Sequence, residues 1–137
     1  MQELRVFLGR VVVAKRQLKE VFYTTSEPDV KADVKQLVAA VIAVQRTLDE
    51  LIELQRKSRL ASKMLKDRKV ELVLRKWSVG LPRRVTDYVD KKKKLKQEYL
   101  HRYQEVLLAY VEEIGRELSG WLIDIQSIRE LPKTPRE

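Results

Sequence analysis

Ser78-Val79-Gly80-Leu81-Pro82 holds the only glycine and the only proline between Pro28 and Gly115. How this pentapeptide is read determines which helices the chain makes. Glycine is favoured just past a helix C-terminus, and proline pre-sets the backbone of a first helical turn. The stretch therefore reads as a turn that ends one helix and opens the next. Folding back at Gly80 gives an antiparallel helical hairpin, with Trp77 near Val85 and Val73 near Tyr88.

Upstream, Val30, Val34, Leu37, Val38, Val41, Ile42, Leu48, Leu51 and Ile52 recur at helical spacing. Residues 37–44 are apolar all round, which places them at a bundle centre. An unbroken helix from Pro28 to the turn would span roughly 75 Å at 1.5 Å per residue. Either a long arm projects, or the helix breaks near residues 56–62, where the apolar stripe falters. The first helix is marked by Leu4, Phe7, Leu8, Val11, Ala14, Leu18, Val21 and Phe22 and is expected to end near Thr24. Ser26 with Asp29 resembles a capping box, and Pro28 suits the first turn of the next helix.

Downstream, one pattern runs from Val85 through Tyr88, Leu95, Tyr99, Tyr103, Val106, Leu107, Tyr110, Ile114, Leu118, Trp121, Leu122, Ile125 and Ile128 to Leu131. Gly115 and Gly120 are expected to kink or end it, leaving a short fourth helix. No strand-like alternation and no internal repeat occurs. The predicted fold is all-α, a helical bundle with long antiparallel helices and a basic helical hairpin. Residues 1–131 form one domain, the hairpin covers 56–102, and 132–137 form a non-helical tail.

The charge is concentrated. Residues 56–102 carry seventeen Lys/Arg against five Asp/Glu, while the other ninety residues sum to −3. Lys and Arg beside a polyanion release condensed counterions and give affinity without reading sequence. The competing reading is a solvated face of a heat-adapted protein, but ion-pair networks need both signs in similar numbers. The residues expected to contact phosphates are Arg56, Arg59, Lys63, Lys66, Arg68, Lys69, Arg75, Lys76, Arg83, Arg84, Lys91, Lys92, Lys93, Lys94, Lys96 and Arg102. The flanking segments carry Glu105, Glu112, Glu113, Glu117, Asp124 and Glu130, so one end of the molecule is expected to bind and the other to pack.

Other chemistry finds little footing. The chain has no cysteine, one histidine, and no glycine-rich phosphate loop. No nucleophilic constellation is present, and the expectation is a protein without enzymatic activity or cofactor. Glu98-x-x-His101 has the spacing of carboxylate-bridged di-metal bundles, but one histidine would require a symmetric dimer. Trp77, Tyr88, Tyr99 and Tyr103 fall on the apolar stripe, which favours core packing over base stacking. The longest uncharged run is 36–45, half of a membrane span. The N-terminus lacks the shape of a secretory signal, so a soluble protein without export is expected.

Asparagine and cysteine are both absent while Lys, Glu and Arg are enriched, a composition suited to high temperature. With its size, helical pattern and charge distribution, the chain resembles the coat proteins of filamentous double-stranded DNA viruses of hyperthermophilic archaea. That resemblance implies a nucleocapsid subunit in a virion, with basic helices wrapped on duplex DNA. It also implies dimers, of this chain or with a paralogous subunit, in a helical assembly. A cellular chromatin or RNA-binding helical protein, cytoplasmic rather than viral, is the alternative in the same class. A long basic hairpin also resembles those of ESCRT-III-like membrane-remodelling polymers, which bind anionic lipid.

Overall fold

A computed structural model describes residues 3–130, with the side chains of Arg129 and Glu130 left out. The expected tail at 132–137 lies outside the described residues. Among the described residues five helices follow one another: α1 (Glu3–Thr24), α2 (Pro28–Lys57), α3 (Arg59–Leu65), α4 (Arg68–Lys94) and α5 (Gln97–Glu130). The all-α helical bundle expected from the sequence is what the chain forms.

The buried residues of α1 (Leu4, Phe7, Val11, Ala14, Leu18, Val21) step by three and four without exception. Those of α2 do the same from Val30 to Leu51. Alternating steps of three and four average 3.5 residues, the period of helices packed side by side at small crossing angles. α5 continues the rule with Leu100, Gln104, Leu107, Val111, Ile114, Leu118 and, past the half-buried Trp121, Ile125. Each large apolar side chain removed from water in this way contributes about 1.5–3 kcal/mol.

α1 packs on α2 and α4, and α5 packs on the same two helices, so the four long helices form a square. Cross-helix contacts give the directions. Glu3 meets Arg75 and Phe7 meets Trp77, so α1 and α4 run parallel. Asp33 meets His101 and Gln36 meets Gln104, so α2 and α5 run parallel too. The two pairs are antiparallel to each other. α3 crosses the open end of the square between opposite corners, and its buried Ala61 and Leu65 plug the core there. This α3 end lies opposite the turn end, where residues 25–27 and 95–96 reverse the chain.

The turn expected at Ser78–Pro82 does not exist: α4 runs straight through it, with Pro82 inside the helix. An interior Gly and Pro cost about 1 and 3 kcal/mol of helix propensity. Against that, Leu74, Trp77, Leu81, Val85 and Tyr88 are buried along one face of the continuous helix. Trp77 packs between Phe7 and Trp121, each ring centroid 5.6 Å away, rather than beside Val85. Gly80 is there for a close approach, because a Cβ on it would collide with the Tyr110 hydroxyl.

The real breaks use quieter signals. α2 ends at Ser58, inside the 56–62 window, and the Ser58 hydroxyl accepts the Ala61 N–H at 3.2 Å to start α3. Asp67 caps α4 by accepting the Lys69 N–H at 2.8 Å. The hairpin that carries the basic charge turns at Leu95-Lys96, fifteen residues later than expected. Four lysines in the last turn of α4 complement the partial negative charge of a helix C-terminus. At the start of α2 the N-cap is Glu27, without a side-chain cap bond, so the Ser26 capping box is not formed. Gly115 and Gly120 neither end nor divide α5.

Candidate nucleic-acid interface

Because α4 spans the bundle, the sixteen cations expected to contact phosphates are spread along about 40 Å of its length rather than gathered at one end. Arg56, Arg59, Lys63, Lys66, Arg68 and Lys69 gather at the α3 end. Arg75, Lys76, Arg83 and Arg84 occupy the middle of α4. Lys91, Lys92, Lys93, Lys94, Lys96 and Arg102 surround the turn end. The outward face of α4 carries Arg68-Lys69, then Arg75-Lys76, then Arg83, all exposed. A seven-residue step advances about 10.5 Å along a helix, so the cations recur on one face at that interval.

Few are neutralised by described residues. Arg56 and Lys57 share Glu53 at 2.6 and 3.0 Å, Arg75 meets Glu3 at 2.8 Å, and Lys91 stands 3.9 Å from Asp87. The Arg56 and Lys57 hydrogen bonds hold the Glu53 carboxyl down at about 2, and Glu3 raises the Arg75 guanidinium above its usual value. Arg84 lies over the Tyr110 ring, 4.1 Å from its centroid. Burial raises the Tyr110 hydroxyl, and Arg84 partly opposes that rise.

The charge divides by layer, not by end. α1 and α4 together carry fifteen Lys/Arg and five Asp/Glu, a net +10, whereas α2 and α5 carry eight and twelve, a net −4. The expected contrast between a binding end and a packing end is therefore replaced by a lateral one. Glu105, Glu112, Glu113, Glu117 and Asp124 all belong to the α2/α5 layer and are exposed on it. Glu130, the last of the acids expected at a packing end, closes the same helix.

The parallel packing of α1 on α4 adds cations from outside residues 56–102. Arg5, Arg10 and Arg16 are exposed on α1, in the same layer as the α4 stripe, whereas Lys19 faces the groove between α1 and α2 beside Lys35. Lys15 is half-buried and donates to Gln45 Oε1 at 2.7 Å. In the sequence these residues sit in flanks whose acids outnumber their bases, which hid them. Their signal was present in α1 alone, with five Lys/Arg against two Glu.

The aromatic residues divide. Trp77 and Tyr88 are core residues as expected, and the buried Tyr88 hydroxyl has no hydrogen-bond partner among the described residues. Burial raises its pKa, and the charge on Asp33 raises it further. Tyr99 and Tyr103, expected in the core, are 51% and 39% exposed. They occupy the flank of α5 that α4 leaves uncovered. His101 Nδ1 lies 2.8 Å from Asp33 Oδ2, and its Nε2 lies 3.5 Å from Glu105. Among the described residues no group of three His, Asp or Glu side chains is placed to hold a metal ion.

Comparison with family models, curated proteins and solved structures finds no match to this chain. The features that define it are an all-α bundle of two parallel helix pairs and a cationic layer on one side. No described helix is long and apolar enough to cross a membrane.

Proposed function

We propose that this chain is a non-enzymatic subunit that binds the phosphate backbone of double-stranded DNA without reading base sequence, and coats it in a filamentous virion. The observation that carries this reading is the net +10 of the α1/α4 layer, most of it unpaired and exposed along about 40 Å. That length runs beside roughly twelve base pairs at 3.4 Å each. A cationic inner layer neutralises phosphates, while the acidic α2/α5 layer faces outward or meets the basic margin of the next subunit. Such contacts between unlike faces do not close on themselves and so favour filaments. The subunit's partner in assembly is a second copy or a paralogous chain. The resemblance to coat proteins of filamentous double-stranded DNA viruses of hyperthermophilic archaea points the same way.

The test is fluorescence anisotropy of a labelled duplex of about 30 base pairs across a salt series. Affinity is expected to fall steeply with salt, as several released counterions per subunit require. Reversing Arg83 and Arg84 to Glu is expected to weaken binding alike for all sequences. A change in sequence preference would sink the sequence-independent reading.

One observation favours a second reading. Leu72 and Val79 are exposed between the cations of α4, at 47% and 62%. A basic helix with apolar residues on its outer face is suited to an anionic lipid surface. Co-sedimentation with anionic vesicles that outcompete the duplex would establish that alternative.

A further inference from the structure

Toward the turn end, α4 and α5 leave an open cleft between them. One part, of about 330 Å³, is lined by Arg83, Asp87, Tyr103 and Val106 among others. The adjoining part, of about 540 Å³, adds Tyr99 and Arg102 and shares Asp87, Tyr103 and Val106. The two parts are therefore one continuous feature.

We propose that this cleft is a stacking site for unpaired bases, so that the chain holds single-stranded nucleic acid here as well as duplex along α4. The inference rests on the nucleic-acid reading above and adds stacking on Tyr99 and Tyr103 to a rim, Arg83 and Arg102, that the cleft shares with the duplex band.

Three observations carry it. Tyr99 and Tyr103 are 51% and 39% exposed, one position out of step with the buried stripe of Leu100, Gln104 and Leu107. They stand one helical turn apart, with Cβ atoms about 5–6 Å from each other, close enough for consecutive bases to lie on consecutive rings. Val106, 60% exposed, extends the same floor by one further turn.

The polar groups fit a nucleotide better than an apolar partner. Arg83 on α4 and Arg102 on α5 are exposed on opposite walls, and neither has a carboxylate within 4.0 Å among the described residues. They suit phosphates passing along the rim. Asp87, the one carboxylate in the lining, repels phosphate but accepts a hydrogen bond from an N–H of a base, such as the N3–H of thymine. Lys91 lies over the Tyr103 ring, 5.5 Å from its centroid, adding positive charge beside the stacking surface. An apolar helix laid in the cleft would strip water from Asp87, Arg83 and Arg102 without replacing their hydrogen bonds. Bases within a duplex have no free face to offer these rings, so the occupant is an unpaired segment.

The experiment compares a labelled oligothymidylate of about 12 nucleotides, an abasic oligomer of equal length, and the duplex. The wild-type chain is expected to bind oligothymidylate more tightly than the abasic strand, because only the former can stack. Tyr99→Ala with Tyr103→Ala is expected to lower oligothymidylate affinity about five- to hundredfold per ring and leave duplex affinity unchanged. Tyr99→Phe with Tyr103→Phe keeps the rings and is expected to bind like wild type, which separates stacking from any effect on folding. Equal affinity for the abasic and thymidine strands, or equal loss on duplex and single strand, overturns the cleft while the backbone reading stands. Failure of the wild type to bind any of the three probes at low salt overturns both.

Discussion

His101 on α5 places Nδ1 2.8 Å from Asp33 Oδ2 on α2, tying the parallel helices together near the turn end. One turn further along, Gln104 Nε2 donates to the Asp33 carbonyl at 3.2 Å and to Gln36 Oε1 at 2.9 Å. Gln104 is 1% exposed at a position where the heptad pattern calls for an apolar residue. A polar residue satisfied at such a position fixes register between neighbouring helices. Hydrogen bonding to Asp33 raises the His101 pKa, its charge adds to that, and Glu105 contributes a little more. The group is more protonated folded than unfolded, so its stabilisation is complete below the unfolded value of about 6.5 and fades as pH rises through the raised folded value. Urea midpoints at about pH 5.5 and about pH 8.5 are expected to differ in that direction, and His101→Gln to remove the His101 share of the difference. A wild-type midpoint that rises with pH, or a slope unchanged by the substitution, would contradict this assignment.

Gly80 makes a prediction opposite in sign to the usual rule. Gly→Ala within a helix ordinarily stabilises by about 1 kcal/mol. Here the added Cβ meets the Tyr110 hydroxyl, which is half-buried beneath Arg84. Gly80→Ala is therefore expected to destabilise, by about 1–3 kcal/mol as overpacking does. In a Tyr110→Phe background the same substitution should become neutral or stabilising, and a double-mutant cycle in denaturant reads the difference. If Gly80→Ala stabilises the wild type, the close approach is not there.

Trp77 tests the continuous α4 directly. It bridges Phe7 on α1 and Trp121 on α5, with only 7% exposure. Trp77→Ala is expected to cost about 3–5 kcal/mol, in the range of aromatic truncations in a core. A cost under 1 kcal/mol in urea melts would mean that the ring is not buried between those helices.

The same residues show what a linear reading captures. The heptad spacing of Leu4 through Val21 and of Val30 through Leu51 is a local property, and both helices were legible from it. At Gly80 and Pro82 the strongest local punctuation in the chain is overruled by burial of Leu81, Val85 and Tyr88, a tertiary term that no short window contains. The true stops at Ser58, Asp67 and Leu95 carry single cap residues or a lysine run. A lysine run suits a polyanion and a helix C-terminus alike, so Lys91–Lys94 alone does not mark the stop. The site followed the same logic. Its net charge was legible, but its shape depended on the path of α4. Arg5, Arg10 and Arg16 join it only because α1 packs parallel to α4.

That layer predicts which reversals matter. Arg10→Glu with Arg16→Glu on α1 is expected to weaken duplex binding and flatten its salt dependence by about two charges' worth, as Lys76→Glu with Arg83→Glu does on α4. Glu113→Gln with Glu117→Gln, on the opposite layer, should leave both quantities unchanged apart from a small overall electrostatic gain. Anisotropy against log salt measures all three. Under a net-charge rule each reversal pair lowers the charge by four and the Glu→Gln pair raises it by two, so a gain from Glu113→Gln with Glu117→Gln about half as large as the loss from a reversal pair would mean that net charge, rather than the α1/α4 face, governs binding.

Glu53 offers the converse case, an acid whose removal should improve function. It occupies both Arg56 and Lys57 at 2.6 and 3.0 Å, and all three side chains are largely exposed. Exposed pairs contribute little to stability, so Glu53→Gln is expected to leave the melting temperature nearly unchanged. It frees two cations at the α3 end, beside Arg59 and Lys63, to meet phosphates instead of a carboxylate. Duplex affinity at low salt should therefore rise and the salt dependence steepen. Because its partners hold the Glu53 carboxyl at about 2, lowering the pH to 4 cannot mimic the substitution in the wild type. Tighter binding by Glu53→Gln at unchanged melting temperature would place the α3 end within the DNA contact. Unchanged binding would confine that contact to α1 and α4.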